Sequence, residues 1–131
     1  MLPPVFQWLK ASTDVKNIVG TNPPRIWRGI APQTADGKPM PNPYITWFAP
    51  GIAPENNLSD PPPTDRVTVQ VDCWHQTDEG IVLLATAARD AIELHCHVTN
   101  GSFDPTEPET KLRRFRMTFD AWVDRGRTVP D

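Results

Sequence analysis

The sequence predicts an α+β fold: a mostly antiparallel β-sheet with helices packed on one face as a two-layer sandwich, joined by long proline-rich loops. Three observations predict it. "RVTVQVDCWHQ" (Arg66–Gln76) and "KLRRFRMTFDAWVDR" (Lys111–Arg125) alternate apolar and polar side chains with the period of a strand. Between them, "TDEGIVLLATAARDAIELH" (Thr77–His95) carries apolar residues at helical spacing. The remaining prolines cluster in stretches that suit neither element.

Taken in order, Val5, Phe6 and Leu9 share one face of a short helix, with Pro3 and Pro4 tolerated in its first turn. Ser12 or Thr13 caps a second short helix bearing Val15, Ile18 and Val19, and Gly20 stops it. "RIWRGIAP" is a short extended piece ending at Pro32, and "PYITWFAP", Pro43 to Pro50, is a strand rich in aromatic and β-branched residues. The third strand is Arg66–Gln76. For the long helix, Thr77 is the expected N-cap, with Asp78 and Glu79 in the first turn where the macrodipole favours acid. Its alanines thin the apolar face and let it lie close to a sheet. "HVTNGSF" is read as a turn at Asn100–Gly101 leading to the last strand. In that strand Phe115, Met117, Phe119, Ala121 and Val123 form one face. The element order is α-α-β-β-β-α-(β)-β, one domain over residues 1–125 with a flexible tail at 126–131.

Composition narrows the function. A chain of 131 residues suits one domain, and a net charge of −3 gives no global attraction to nucleic acid or an anionic membrane. No apolar run reaches the ~18 residues of a membrane span, and no secretion signal opens the chain, so a soluble protein made in the cytoplasm is expected. The two cysteines suit a reducing compartment. Sixteen prolines among 131 residues are more than twice the usual share of about 5%. They gather at Pro23–Pro24, Pro32 to Pro43, Pro50 to Pro63 and Pro105–Pro108, as loops built for contact.

One constellation resembles chemistry. All three histidines and both cysteines fall between Cys73 and His97. Strand parity separates them: Cys73 and His75 continue the row of Val67, Val69 and Val71, whereas Asp72 and Trp74 point the other way. A zinc site from Cys73, His75, Cys96 and His97 would have to span a helix of about 18 residues, about 27 Å long. Neither C-x-H nor H-C-H has the paired spacing of structural zinc ligands. Cys73 lies in an apolar row and Cys96 at the wrong helix end for a depressed thiol pKa. No catalytic or nucleotide-binding motif occurs. No cofactor, no metal and no enzymatic activity are expected.

"KLRRFR" reads as a contact for nucleic acid or an acidic partner, or as a charged strand face that discourages stray pairing. In an acidic protein the balance favours the charged face or a protein partner. If the last strand pairs with the third, Asp72 is the cross-strand partner of Arg114 and Arg116. Trp74 and Trp122 sit on the polar faces of their strands. Either a partner covers them, or the N-terminal helices and long loops do.

The layout of "ASTDVKNIVGTNPPRIWRGIAP", "NPYITW", "DRVTVQVDCWHQTDEGIVLLATAARDAIE" and "RRFRMTFDAWVDR" resembles the tail-completion or tail-terminator proteins of long-tailed bacteriophages. The similarity runs over nearly the whole chain and rests on order and spacing, most specifically on "VTVQVDCW" leading into an alanine-rich helix. It implies a structural virion protein, a ring (a hexamer) at the head-proximal end of the tail. That ring stops tube polymerisation and offers a surface for head joining, with the tail-tube protein and a head–tail connector as partners. DNA would pass through transiently and without specificity. The related reading is a head-side connector or stopper of the neck; the remote one is a small metal-dependent enzyme using the Cys/His cluster. With this resemblance, Thr68, Gln70, Asp72, Trp74, Arg114, Arg116, Asp120 and Trp122 become the candidates for subunit interface or lumen.

Overall fold

The period-two segments form the centre of a five-stranded sheet, in the order β1-β2-β3-β5-β4. The computed structural model describes residues 2–32, 37, 43–54, 64–106, 108 and 110–124. Its elements are α1 (Val5–Lys10), α2 (Thr13–Val19), β1 (Ile26–Arg28), β2 (Tyr44–Pro54), β3 (Thr64–His75), α3 (Asp78–Glu93), β4 (Val98–Asp104) and β5 (Arg113–Asp124). Three strand pairs are antiparallel, and β1 runs parallel to β2. Most of the expected loop 32–43, all of 55–63 and the tail 126–131 lie outside the described residues.

Local chemistry accounts for the helices. Ser12 caps α2 by accepting the Val15 N–H, and Thr77 caps α3 by accepting the Gly80 N–H at 3.0 Å. Gly20 ends α2 at φ 93, a left-handed value that side-chain-bearing residues avoid. Arg25 then ties the end of α2 to the start of β2, donating to the carbonyls of Ile18 and Pro43. The apolar face of α3, Ile81, Leu84, Ala88 and Ile92, is buried with Ala85, Ala87 and Ala91. Those alanines keep it close to the valine row of β3 and to Phe115, Met117 and Phe119 of β5, all in one core.

Two expected boundaries are corrected. The second strand does not end at Pro50 but runs to Pro54. A register shift between Phe48 and Gly51 leaves Ala49 and Pro50 without partners on β3, and a bulge of that kind tolerates a residue with no N–H. The expected turn at Asn100–Gly101 is instead the middle of β4. Pairing overrides the local turn signal there: Asn100, Gly101, Ser102, Phe103 and Asp104 all find partners on β5. Glycine is needed because the Phe115 ring crosses it; a Cβ on Gly101 would lie 2.8 Å from Phe115 Cζ.

A second glycine sits under an aromatic ring. Alanine in place of Gly80 would favour the helix by about 1 kcal/mol. Its Cβ would however lie 2.0 Å from His75 Cε1. The displaced imidazole would lose the Thr77 N–H that Nδ1 accepts at 3.2 Å. Gly80→Ala is therefore expected to lower stability by about 1 kcal/mol, whereas the same change in a His75→Ala background raises it. Urea unfolding midpoints of the four proteins check this inversion of sign.

Candidate functional site

The core takes one face of β2, β3 and β5 and leaves the other, on which no described helix packs, to polar and aromatic side chains. The register aligns that face in rungs across β3 and β5: Trp74 opposite Arg114, Asp72 opposite Arg116, Gln70 opposite Thr118, Thr68 opposite Asp120 and Arg66 opposite Trp122. All eight sequence-derived candidates thus share one face, as parity required. They fall into two groups, since Thr68 is four residues along β3 from Asp72, about 13 Å.

The first group is a charge and aromatic cluster. Tyr44 stacks on Trp74 with ring centroids 5.9 Å apart, and the Arg114 guanidinium lies 5.0 Å from the centre of the Trp74 ring. The indole N–H of Trp74 donates to Thr46 Oγ1. Asp104, at the end of β4, takes Arg114 through Nε at 2.6 Å and a second guanidinium nitrogen, and Arg116 through Nη2 at 3.2 Å. Asp72 receives the Gln70 amide at 3.2 and 3.3 Å. Arg116 Nε lies 3.7 Å from Asp72 Oδ1, which is ion-pair range but too long for a hydrogen bond. The expected Asp72–Arg116 pairing is present, and Asp104 holds the guanidiniums more tightly. Asp104 escapes sequence reasoning because the turn signal at Asn100–Gly101 obscures the strand that carries it. Strand parity from Phe103 would have put it opposite Arg114.

The second group is looser. Thr68 donates to Asp120 at 2.8 Å, and Trp122 is 61% exposed. The cover for Trp74 comes from its neighbours in the sheet, Tyr44 and Arg114, rather than from the N-terminal helices, which pack on the other face.

Burial pushes the Asp72 carboxyl above its ordinary value of 3.8, against the lowering effects of the Gln70 hydrogen bond and the Arg114 and Arg116 charges. A raised folded-state value means that the native state binds this proton more tightly than the unfolded chain does. The stabilisation from protonation is complete below the unfolded value and is lost as pH rises through the folded one. At neutral pH the Asp72 charge therefore costs stability. Asp72→Asn is expected to unfold at or above the wild-type melting temperature at pH 7, with any advantage vanishing under acid conditions.

The Cys/His constellation is divided by the fold. Cys73 and His75 lie beside the N-terminus of α3, and His95, Cys96 and His97 follow its C-terminus. The 16 residues of α3 put about 24 Å between them. Among the described residues no three His, Cys, Asp or Glu side chains converge as a metal site would require. His75 rests on Gly80, and burial lowers its pKa; His95 stacks on Trp8 at 4.6 Å. Cys73 is wholly buried, and burial, then the Asp72 charge, push its thiol far up. A maleimide is expected to modify one thiol per native chain, Cys96, and two after denaturation. Fast native labelling of Cys73 would contradict the packing.

The family described as "Tail completion protein gp17" matches residues 3–124. The chain belongs to the tail completion protein gp17 family. It is a structural tail protein. Among solved structures it is similar to a chain in "Virion of native gene transfer agent (GTA) particle". The TM-score is 0.63 at 16% identity, over 92% of this chain and 91% of that one. That likeness shows a shared fold. No curated protein matches the sequence. Among the described residues, no helix of this tail completion protein is long and apolar enough to cross a membrane.

Proposed function

We propose that this tail completion protein, as one domain over residues 1–125, assembles as a hexameric ring at the head-proximal end of the tail. The ring ends tail-tube polymerisation and presents the surface to which the head-side connector binds. The family match across residues 3–124 carries the reading. The sheet face that holds Thr68, Gln70, Asp72, Trp74, Arg114, Arg116, Asp120 and Trp122 supplies a broad polar and aromatic surface for subunit contact or for the lumen. Asp72 and Asp104 balance Arg114 and Arg116, so this cluster gives DNA no net positive patch to grip. Passage of the genome without retention follows from that balance, and none of these steps calls for catalysis.

Two measurements on the purified protein test the proposal: its mass by light scattering, and its co-sedimentation with tail tubes or with filled heads. A ring-sized species that sediments with tubes is expected. Sedimentation with filled heads alone would favour the connector of the neck instead.

A further inference from the structure

The junction between β3 and α3 is held by one imidazole. His75 ends β3, and its Nδ1 accepts the Thr77 N–H at 3.2 Å. The Thr77 hydroxyl lies 3.3 Å from the same nitrogen and, as the cap of α3, accepts the Gly80 N–H at 3.0 Å. Nδ1 must therefore carry a lone pair, which places the proton of the neutral ring on Nε2. The ring itself lies over Gly80, in the space that a Cβ there would occupy. A single side chain thus ties the strand end to both the N-cap residue and the first turn of the helix.

A second proton on the ring has no place in this arrangement. Protonated Nδ1 becomes a donor, and the Thr77 N–H that faces it cannot turn into an acceptor. The added charge would also stand at the positive end of the α3 macrodipole. Around the junction, Arg113 of β5 is the register partner of His75, Lys111 precedes it in the β4–β5 connection, and Arg25 reaches the Pro43 carbonyl just before β2. The acids there belong to α3: Asp78, which accepts Arg113 Nε at 2.8 Å, and Glu79. Burial lowers the His75 pKa below its ordinary 6.5. The stability that the neutral ring contributes is complete above 6.5 and is lost as pH falls from there through the lower folded value. From Ile81 onward α3 is held by its apolar face in the core, and β3 by its two neighbours, so the loss falls on residues 76–80.

We infer that His75 is an acid-sensitive latch: neutral, it holds residues 76–80 closed over the end of the sheet, and its protonation releases them while the sheet and the remainder of α3 stay folded. Asp78 and Arg113 also line a cleft of about 320 Å³ between α3 and β4, together with Val82 and Phe103. Release of the junction therefore reshapes a surface on which Val82 is 50% and Phe103 55% exposed. The inference holds whether or not the chain forms a ring.

Amide exchange and the histidine ring signals of the wild-type chain are followed by NMR from about pH 8 to about pH 4.5, which spans the titration of histidine. Once the intrinsic pH dependence of exchange is removed, protection of the Thr77 and Gly80 amides is expected to fall about tenfold or more relative to Val69 and Phe119. The midpoint is expected to coincide with the titration of the His75 ring, below 6.5. In His75→Gln the step is expected to vanish. In Asp78→Asn, which lacks the Arg113 tie, it is expected to persist. Unchanged protection at Thr77 and Gly80 while the His75 ring titrates overturns the inference, as does a step that survives His75→Gln. A step that follows the rings of His95 and His97 at the far end of α3, or a His75 ring that stays neutral until the whole chain unfolds, overturns it as well.

Discussion

Phe119→Ala is expected to lower the unfolding free energy by about 3–5 kcal/mol, the range for removing a buried aromatic ring. Phe119 is wholly buried at the centre of β5, between Val69 of β3 and Val98 of β4 in the register. The Trp8 ring of α1 lies 6.4 Å from its own. One side chain therefore joins three strands to the first helix, and the surrounding backbone, fixed by pairing on both sides, has little freedom to close the cavity. Against a typical total of about 5–15 kcal/mol, that loss takes a large share of the stability. A lower denaturant midpoint with an unchanged slope is expected. A loss below about 1 kcal/mol would mean that Phe119 is not in the core as described.

The second large effect concerns assembly. In Arg114→Glu/Arg116→Glu, Asp104 loses both its partners and Asp72 its nearby positive charge. Four carboxylates then face one another on adjacent strands, where like charges repel. The Arg114 and Arg116 side chains are 28% and 39% exposed, so solvent screening tempers the cost to the fold, to about 1–3 kcal/mol. Assembly is expected to suffer far more, because the same face would meet its partner with the wrong sign. Loss of ring formation and of tube capping at temperatures where circular dichroism still reports a folded chain is the expected result. A wild-type assembly profile would remove this face from the interface. The Arg114→Lys/Arg116→Lys variant, which keeps charge but not the bidentate grip on Asp104, is expected to fall between the two.

Much of this molecule is legible in its residues, and the failures have physical causes. The period of two in "RVTVQVDCW" and "RRFRMTFDAWV" suffices to assign Val67 to His75 of β3 and Arg114 to Val123 of β5 to their faces, because a buried face fixes register strongly. The Thr77 cap is legible from local chemistry alone, and Ser12 only as one of two candidates with Thr13. Asn100–Gly101 misled because its turn propensity is local, whereas the Phe115 ring that selects Gly101 comes from a distant strand. Pro50 misled because a bulge, invisible in the sequence, absorbs it. The apparent Cys/His cluster was proximity along the chain, undone by the length of α3. Asp104 went unseen for the same reason as β4, and Asp104 decides which acid the two arginines hold.

The most direct test of the central claim is tail length in particles made without this protein. Electron microscopy of lysates from a phage in which this reading frame is interrupted is expected to show headless tails well beyond normal length, restored by supplying the wild-type chain in trans. Tails of normal length, joined to heads in normal number, would contradict a role in ending the tail tube.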